Sequence, residues 1–363
     1  MTAWADARAR FPVLDRYAYL NAGTNGPLSA ATIAAVAAVN AWEAEHGRAG
    51  KAHFDEMLER RERVRALLAG QFGVDPANVA LTDSTTRAIH VAVAALGLGP
   101  EDEVVTTDSE HFGLLGPISA SGASVRIVPV RELRSDALLD AIASHVTPRT
   151  SLLALSAVVW LDGKVVPWQA LREQTGVPVL VDGAQSVGAV EVDATASDFY
   201  TLSAQKWLCG PDATGALYVR DPESVRPRLL TYPGVASYDL RTGAWEPKPG
   251  AARLDTGFAP AASLAGLEAA LTDLPDGRFA RAAQLTARCR ELLLESGFDV
   301  VTEPHQATLV SFRAPGDPLE LRLALYERGV IVRDLPDTDL LRVSVGWWND
   351  ESDLQRLVEA MQL

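Results

Sequence analysis

The sequence predicts an α/β fold in which a large domain, built on a mostly parallel sheet, precedes a smaller α+β domain. From about residue 79 to residue 220, short β-branched runs such as "NVALT" and "EVVTT" alternate with helical stretches such as "STTRAIHVAVAAL". The runs are apolar almost throughout, which is typical of parallel strands covered by helices on both faces. Further along, the helical "RFARAAQLTARCRELLLESG" and the strand-like "ATLVSFRA" and "LLRVSVGW" indicate a second unit of α+β type.

A change of composition marks the predicted boundary between the two domains. Residues 220–252 are rich in glycine, proline and aromatic residues, as in "YPGVASYDLRTGAWEPKPG", and this pattern is typical of a long loop. We therefore expect a large domain over residues 15–250 and a small C-terminal domain over residues 251–363. The sequence leaves open whether residues 1–14 pack on the small domain or on the large one.

The net charge and the cysteines indicate which partners are not expected and in which compartment the protein is expected. The 363-residue chain carries a formal charge of −14, so nucleic acids and anionic membranes, which attract basic surfaces, are not expected as partners. The two cysteines, Cys209 and Cys289, form no metal-spaced pair, which argues against a disulfide scaffold and a metal site. The chain shows neither the apolar core of a signal peptide nor a run of about 20 apolar residues. We expect a cytoplasmic protein.

Two predicted strands lead to residues of opposite charge. The apolar run "VPVLVD" ends on Asp182, and "DFYTLSA" leads to Lys206, one of only four lysines in the chain. In parallel α/β sheets the ligand crevice lies outside the carboxyl ends of the strands, so both side chains are expected to face one cleft. There a lysine can form a Schiff base with pyridoxal 5′-phosphate while a carboxylate keeps its ring nitrogen protonated. A structural ion pair would explain these two residues about equally well.

Two further stretches stand at predicted strand ends. In "LTDSTTRAIHVAVAAL", Ser84, Thr85 and Thr86 begin an apolar helix, where free backbone N–H groups and hydroxyls can hold a phosphate. Ordinary helix capping is the simpler explanation of any one of them. His111 follows "EVVTT", and its flat imidazole could stack on a cofactor ring. His90 lies within the apolar helix, where a buried histidine is expected.

Five motifs occur together in an order that is typical of one enzyme family. They are "TDSTTRAI", "SEHFGLLGP", "LVDGAQSVGA", "SAQKWLCGPDATGALYV" and "RVSVGWWNDESDL". In these motifs the chain resembles the class V aminotransferases, a branch of the fold-type-I pyridoxal phosphate enzymes that includes cysteine desulfurases and isopenicillin-N-epimerase-like proteins. The resemblance runs from "YLNAGTNGP" at residue 19 to the C-terminus. It implies the fold-type-I transferase architecture, pyridoxal 5′-phosphate as cofactor, an amino acid as substrate and a homodimer.

The resemblance also implies roles for individual residues. Lys206 would be the Schiff-base lysine and Asp182 the partner of the ring nitrogen, while Gln185 would bond the ring hydroxyl and His111 would stack on the ring. Arg342, in "LLRVSVGWWN", matches the arginine that grips the substrate carboxylate, a task that suits a planar two-pronged donor. Its alternative is a surface arginine at a strand end. The residues expected around the phosphate are Ser84, Thr85, Thr86, Ser203 and Gln205.

The chain departs from the family pattern at positions that bear on the reaction. Gln205 stands where many relatives have histidine, and its amide can still donate to phosphate. Phe258 replaces a threonine that reaches the partner subunit's phosphate, which weakens that contact between subunits. Trp160 replaces the asparagine typical of cysteine desulfurases and resembles the epimerase-like branch. Residues 313–340 contain no cysteine, although a persulfide-forming desulfurase needs a mobile thiol there, and Cys209 is expected to be buried and structural.

These features predict a pyridoxal phosphate enzyme that acts on the α-carbon of an amino acid through an external aldimine. β-Elimination of the C–S lyase type, without a persulfide cysteine, is the favoured reaction. Transamination and epimerisation stay open, because each begins with removal of the α-proton by Lys206. A remote alternative is a non-catalytic α/β protein that binds a phosphate compound at Thr85 and Thr86, although the G-x-G-x-x-G fingerprint of a dinucleotide site is absent after the first strand.

Overall fold

The computed structural model describes residues 3–362. The helices of this part of the chain are α1 (Ala3–Arg8), α2 (Ala30–His46), α3 (Lys51–Phe72), α4 (Thr85–Leu96), α5 (Phe112–Ala120), α6 (Leu138–Ala143), α7 (Trp168–Thr175), α8 (Ala261–Thr272), α9 (Arg278–Glu295), α10 (Pro318–Glu327) and α11 (Glu351–Met361). Its strands are β1 (Ala18–Tyr19), β2 (Val79–Thr82), β3 (Glu103–Thr107), β4 (Ser124–Val128), β5 (Thr150–Ser156), β6 (Val179–Asp182), β7 (Phe199–Ser203), β8 (Gly215–Val219), β9 (Val235–Tyr238), β10 (Trp245–Pro247), β11 (Leu309–Arg313), β12 (Val330–Ile331), β13 (Arg333–Asp334) and β14 (Leu340–Ser344).

The largest sheet has seven strands in the order β2-β8-β7-β6-β5-β3-β4. Strands β4, β3, β5, β6 and β7 run parallel, whereas β8 runs antiparallel to both of its neighbours. All residues of β2, β3, β6, β7 and β8 are buried, because α3, α6 and α7 cover one face of the sheet and α4 and α5 the other. The predicted α/β class with a mostly parallel sheet is confirmed.

The carboxyl ends of the parallel strands meet at one edge of this sheet. Ser156 at the end of β5 lies opposite Asp182 at the end of β6, which in turn lies opposite Thr201 in β7. Strand β2 also ends at this edge, because β2 and β7 both run antiparallel to β8, and it leads through Ser84 into α4. The edge therefore collects the polar residues that the sequence places after separate strands.

A second, smaller sheet has the order β11-β14-β13 and is antiparallel. Residues of α9, α10 and α11 pack on one of its faces, where they contact Phe312 and Leu341. The N-terminal segment also contacts this unit: the ring of Phe11 lies 5.5 Å from that of Trp347, and Arg8 forms an ion pair of 2.6 Å with Asp353.

The division into domains at residue 250 stays a prediction. Helix α8, which the sequence assigns to the small domain, packs on α2 and α3, and its Leu264 and Leu267 belong to the apolar core of the large sheet. This packing favours a boundary after α8. The predicted loop over residues 220–252 contains the antiparallel pair of β9 and β10. Residues 1, 2 and 363 of the predicted domain ranges lie outside the described residues.

The expectation that His90 is buried is wrong. His90 is exposed on the outer side of α4, while its neighbour Ile89 is buried against the sheet. His90 lies three residues after the exposed Arg87, on the same face of α4, and the expectation overlooked this spacing.

Candidate active site

Lys206 lies on the turn that follows β7, and its neighbours fix this turn in place. The indole of Trp207 is buried, and its Nε1 donates a hydrogen bond of 2.9 Å to Oε1 of Gln185. The backbone of Gly26 approaches from another segment and donates to the carbonyl of Gln205 at 2.7 Å. A Cβ at Gly26 would overlap the carbonyl oxygen of Lys206, so this approach requires glycine. The lysine is therefore presented at the carboxyl edge of the sheet.

Asp182 and Lys206 are near enough for their charges to interact. Asp182 is buried at the end of β6, and its Oδ1 accepts a hydrogen bond of 2.9 Å from the backbone of Ala184. Burial lowers the pKa of Lys206 to about 8; the charge of Asp182 opposes this effect and that of Arg342 adds to it. An amine with a pKa in this range is partly unprotonated near neutral pH, which suits both a nucleophile and a base.

The residues expected to hold a phosphate meet at the start of α4. Ser203 Oγ accepts a hydrogen bond of 2.9 Å from the backbone of Thr85, which joins β7 to the helix. Ser84 Oγ accepts from the backbone of Arg87 at 3.2 Å, as an ordinary cap does. Among residues 3–362, Oγ1 of Thr85 and Oε1 of Gln205 are buried without a hydrogen-bond partner. Such atoms are costly to bury alone, and the hydroxyl of Thr85 can donate to a phosphate. The amide oxygen of Gln205 only accepts, so Gln205 would bind a phosphate through its Nε2.

Thr86 and His111 lie together beside this position. A Cβ at Gly113 would come within 2.6 Å of Oγ1 of Thr86 and 3.1 Å of Nδ1 of His111. The His111 ring meets the indole of Trp160 edge to face at 5.3 Å, and its Nδ1 accepts from the backbone of Gly113 at 3.0 Å. Burial lowers the pKa of His111, as do the charges of Lys206 and Arg342. His111 therefore lies close enough to Lys206 and Arg342 for their charges to act on its imidazole.

Gln185 forms a bridge between two segments of the site. Its Nε2 donates to the carbonyl of Gly23 at 2.9 Å, while its Oε1 accepts from Trp207. A side-chain amide has one further N–H and one further lone pair, so the expected bond to a cofactor hydroxyl stays a prediction.

Arg342 is buried on β14, so the alternative of a surface arginine is wrong for this residue. Its Nη1 donates to the carbonyl of Trp160 at 2.8 Å, and its Nε is buried without a partner in the described part of the chain. A Cβ at Gly23 would lie 2.8 Å from Nη2, so the glycine leaves room for the guanidinium. Burial lowers the pKa of Arg342 to about 9, and the charge of Arg333 contributes. The Nε–H is therefore a buried donor without an acceptor, the kind of group that a carboxylate would satisfy.

Glu110 is a member of the site that the sequence analysis missed. Its Oε1 accepts from Oγ1 of Thr107 at 2.9 Å, and its Oε2 accepts from the backbone and hydroxyl of Ser156 at 3.0 and 2.5 Å. These bonds join the loop before His111 to the end of β5, next to Asp182. Burial raises the pKa of Glu110 to about 7, although the hydrogen bonds oppose this effect. The only sequence signal is its place beside His111, and a glutamate in a polar stretch is ordinarily solvated.

Replacing Glu110 by glutamine is expected to change how stability depends on pH. Between about pH 4.5 and pH 7 the folded protein keeps a proton on Glu110 that the unfolded chain has lost, so this group makes the free energy of unfolding fall as pH rises. The Glu110→Gln variant lacks this titration, and its thermal midpoint relative to the wild type should rise from pH 5 to pH 7.5. The exposed Glu101→Gln serves as the control. A difference that is constant over this range would contradict the assignment.

Two kinds of feature are absent from residues 3–362. No helix there is long and apolar enough to cross a membrane. No group of three or more His, Cys, Asp or Glu side chains in that range is placed to hold a metal ion.

The fold and the site together define a class of enzyme. Lys206, Asp182 and the unpartnered hydroxyl of Thr85 fit pyridoxal 5′-phosphate, since they supply an amine, a carboxylate and a hydrogen-bond donor for a phosphate. The family model for "Aminotransferase class-V" matches residues 18–357, and the chain belongs to that family. It is therefore an enzyme that uses pyridoxal phosphate, and the non-catalytic alternative is set aside.

Relatives and solved structures agree with this membership. The chain is 30% identical to isopenicillin N epimerase from Amycolatopsis lactamdurans, over 99% of this chain and 98% of the relative. It is 32% identical to a cysteine desulfurase from Klebsiella pneumoniae subsp. pneumoniae, over 73% of this chain and 70% of the relative. The fold matches the complex of the cystine C–S lyase C-DES with its product cysteine persulfide, with a TM-score of 0.88, 25% identity and coverage of 97% and 98%. A C-DES mutant with glycine covalently linked to its PLP cofactor matches with a TM-score of 0.89, 26% identity and coverage of 98% of each chain.

Proposed function

We propose that this enzyme catalyses β-elimination from an amino acid that carries sulfur on its β-carbon, without a persulfide cysteine. The observation that carries the proposal is the state of Cys209 and Cys289, the two cysteines of the sequence. Both are buried and neither forms a disulfide. Burial raises the pKa of both thiols, that of Cys289 to about 12. A thiolate is the form that accepts sulfur, so neither residue suits that task. The similarity to a cystine C–S lyase supports the same reaction.

The residues of the site divide the work of binding and proton transfer. The free Nε side of Arg342 would bind the α-carboxylate of the substrate and so fix the orientation of its α-carbon. Lys206, with its lowered pKa, would remove the α-proton at Nζ. Asp182 would hold a proton on the pyridine nitrogen of the cofactor, and Thr85 and Gln205 would hold its phosphate. When bound, pyridoxal phosphate supplies the electron sink that stabilises negative charge at the α-carbon.

The elimination breaks one C–H bond and one C–S bond. Lys206 Nζ takes the α-proton, and the electron pair of the C–H bond forms a double bond between Cα and Cβ. The electron pair of the Cβ–S bond leaves with sulfur, which is released as a thiol once protonated. Addition of one water to the remaining three-carbon unit then yields pyruvate and ammonia. A cysteine S-conjugate and water therefore give pyruvate, ammonia and a thiol in equal amounts, without an external oxidant or reductant.

The product balance tests this reaction directly. Incubation of the holoenzyme with cysteine S-conjugates is expected to release pyruvate, ammonia and thiol in a ratio of one to one to one, because elimination destroys the amino acid. Pyruvate is measured with lactate dehydrogenase, ammonia with glutamate dehydrogenase and thiol with a disulfide reagent. Keto-acid-dependent amino transfer without ammonia would show a transaminase and would contradict the proposal.

Epimerisation is a second candidate, because the chain matches isopenicillin N epimerase over nearly its whole length. An epimerase returns the α-proton to the substrate and leaves the C–S bond intact. In deuterium oxide it would place deuterium on the α-carbon of the recovered amino acid with loss of optical purity and without pyruvate. That outcome would favour epimerisation over elimination.

We also propose that the enzyme is a homodimer. The ring of Phe112, which begins α5 beside His111, is 79% exposed, and Tyr232 and Leu240 in the segment before α8 are 72% and 88% exposed. Large apolar side chains in such positions suit an interface between copies of the chain. The ring of Phe258 lies 6.0 Å from that of Tyr232, tilted by 43°, and 5.2 Å from the guanidinium of Arg61. The expected effect of Phe258 on the partner subunit's phosphate stays a prediction. A monomer in sedimentation velocity at micromolar concentration would contradict a dimer.

A further inference from the structure

We propose that Glu110 is a positioning residue, which fixes His111 at the cofactor site by holding the loop before α5 against the end of β5. The inference rests on the proposed function, because it takes His111 to contact the cofactor ring, as the resemblance to the family implies. Glu110 itself would contact neither the cofactor nor the substrate.

The carboxylate of Glu110 joins two strands beyond the point where they pair. The ladder between β3 and β5 ends with Val105 opposite Leu153, before Ser156 is reached. Oε2 of Glu110 accepts the backbone N–H of Ser156 at 3.0 Å and its hydroxyl at 2.5 Å. Oε1 accepts from the hydroxyl of Thr107, the last residue of β3, at 2.9 Å. Glu110 therefore takes the place of a strand partner for Ser156.

The end of β5 also holds the groups around His111. Ser156 lies opposite Asp182, and the backbone N–H that follows Ser156 donates to the carbonyl of Asp182 at 2.9 Å. The segment then continues to Trp160, whose indole meets the His111 ring edge to face at 5.3 Å. Glu110 thus ties the backbone beside His111 to a segment that contacts the His111 ring and pairs with Asp182.

The middle of the loop depends on Glu110 for its tie to β5. The two ends of the loop are anchored elsewhere, since Asp108 donates to the carbonyl of Val128 at 3.0 Å and Leu114 is buried. In the described part of the chain the imidazole of His111 has one hydrogen bond, in which Nδ1 accepts from the backbone of Gly113. That bond lies within the same loop and helix, so it does not fix the ring relative to the sheet.

The burial of Glu110 is costly, which argues against a role in packing alone. The residue is 7% exposed and forms no ion pair within residues 3–362, and the charge of Asp182 adds to burial in raising its pKa. An apolar side chain of similar size would fill the space without desolvation of a carboxyl group. Carboxyl groups perturbed in this way are concentrated at functional sites. The three hydrogen bonds indicate that the function here is to hold the loop.

Two substitutions of Glu110 separate its hydrogen bonds from its charge. Glu110→Gln can still accept from Ser156 and can donate to Thr107, so it should lower kcat for pyruvate release by no more than about threefold. Glu110→Leu fills the space but forms none of these bonds. It should lower kcat by about 10²-fold, as a displacement of about 1 Å at an active site does. The exposed Glu101→Leu is the matched control and should keep the wild-type kcat.

The bound cofactor provides a readout that does not depend on the reaction. Circular dichroism in the absorption band of bound pyridoxal phosphate arises from its asymmetric surroundings, so displacement of His111 should change it. We expect Glu110→Leu to lose most of this signal, while Glu110→Gln and Glu101→Leu keep it. A wild-type signal in Glu110→Leu, or an equal loss in Glu110→Gln, would overturn the proposal.

A double-mutant cycle with His111→Ala shows whether Glu110 acts through His111. In the His111→Ala background, Glu110→Leu should lower kcat by less than about threefold, because the side chain that it positions is absent. Effects of the two substitutions that multiply would contradict the proposal. If Glu110→Leu does not fold, Ser156→Ala takes its place. Loss of this one donor should lower kcat by about tenfold in the wild type but not in His111→Ala.

The spectra separate this inference from the proposed reaction. They are recorded without substrate, so loss of the signal in Glu110→Leu and in His111→Ala supports the positioning role even if no pyruvate forms. An unchanged signal in His111→Ala would show that His111 does not contact the cofactor and would overturn the inference. Release of pyruvate at the wild-type rate by Glu110→Leu would support elimination and overturn the positioning role.

Discussion

Replacement of Lys206 by alanine is expected to lower kcat by at least about 10⁴-fold and to remove the absorbance of the lysine-bound cofactor. General-base catalysis alone contributes about 10² to 10⁴-fold, and Lys206 is also the proposed attachment point of the cofactor. The position of Lys206 supports both roles, because its charge interacts with those of Asp182 and Arg342. Burial also lowers the pKa of Lys206 to about 8. Single-turnover kinetics and an absorbance spectrum of the purified variant measure the two effects.

The control for this variant is Lys51→Ala. Lys51 begins α3 on the exposed surface and pairs with Asp55 within the same helix. This variant should keep the spectrum and the kcat of the wild type. Activity of Lys206→Ala within about tenfold of the wild type would show that another group removes the α-proton.

The second large effect is expected from Asp255→Asn, which should lower the free energy of unfolding by about 3–5 kcal/mol. Asp255 is buried and accepts hydrogen bonds from Arg61 at 2.7 Å and from Arg65 at 2.8 and 3.0 Å. Its Oδ1 also accepts from the backbone of Leu81 at 2.8 Å, in the strand that leads into the start of α4. The asparagine keeps the shape but leaves the buried Arg61 without a carboxylate and Arg65 with Glu62 as its one acidic partner. Urea unfolding of the holoenzyme, followed by tryptophan fluorescence, measures the loss.

Asp273→Asn provides the matched control for Asp255→Asn. Asp273 pairs with Arg10 at 2.7 Å, but both side chains are exposed, and exposed pairs contribute about 0–1 kcal/mol. A loss for Asp255→Asn no larger than that for Asp273→Asn would show that the buried arginines find other partners.

The central residues of the site could be predicted because they follow strands. Apolar runs locate β6 and β7, and the carboxyl ends of parallel strands share one edge of a sheet, so Asp182 and Lys206 were expected to be neighbours. The charge interaction of the two residues agrees with that expectation. The motifs of the family added Arg342, which lies far away in the sequence and whose burial the local pattern did not indicate.

The remaining features depend on contacts between distant segments. Glu110 is buried because Ser156, in another strand, supplies two hydrogen bonds, and nothing in "TTDSEHFG" indicates that partner. Asp255 is buried for the same kind of reason, through two arginines of α3. The placement of Arg333 opposite Arg342 requires the register of β13 and β14, which the sequence does not specify. Charged residues in polar stretches are ordinarily exposed to solvent, so the contacts of these residues could not be predicted from the sequence.

Mapping the attachment point of the cofactor tests the central claim most directly. The holoenzyme is reduced with sodium borohydride, digested and analysed by tandem mass spectrometry. We predict one phosphopyridoxyl group per chain, on the peptide that contains Lys206. A phosphopyridoxyl group on Lys51, Lys164 or Lys248 instead, or an unmodified Lys206 in protein that contains bound pyridoxal phosphate, would contradict the account.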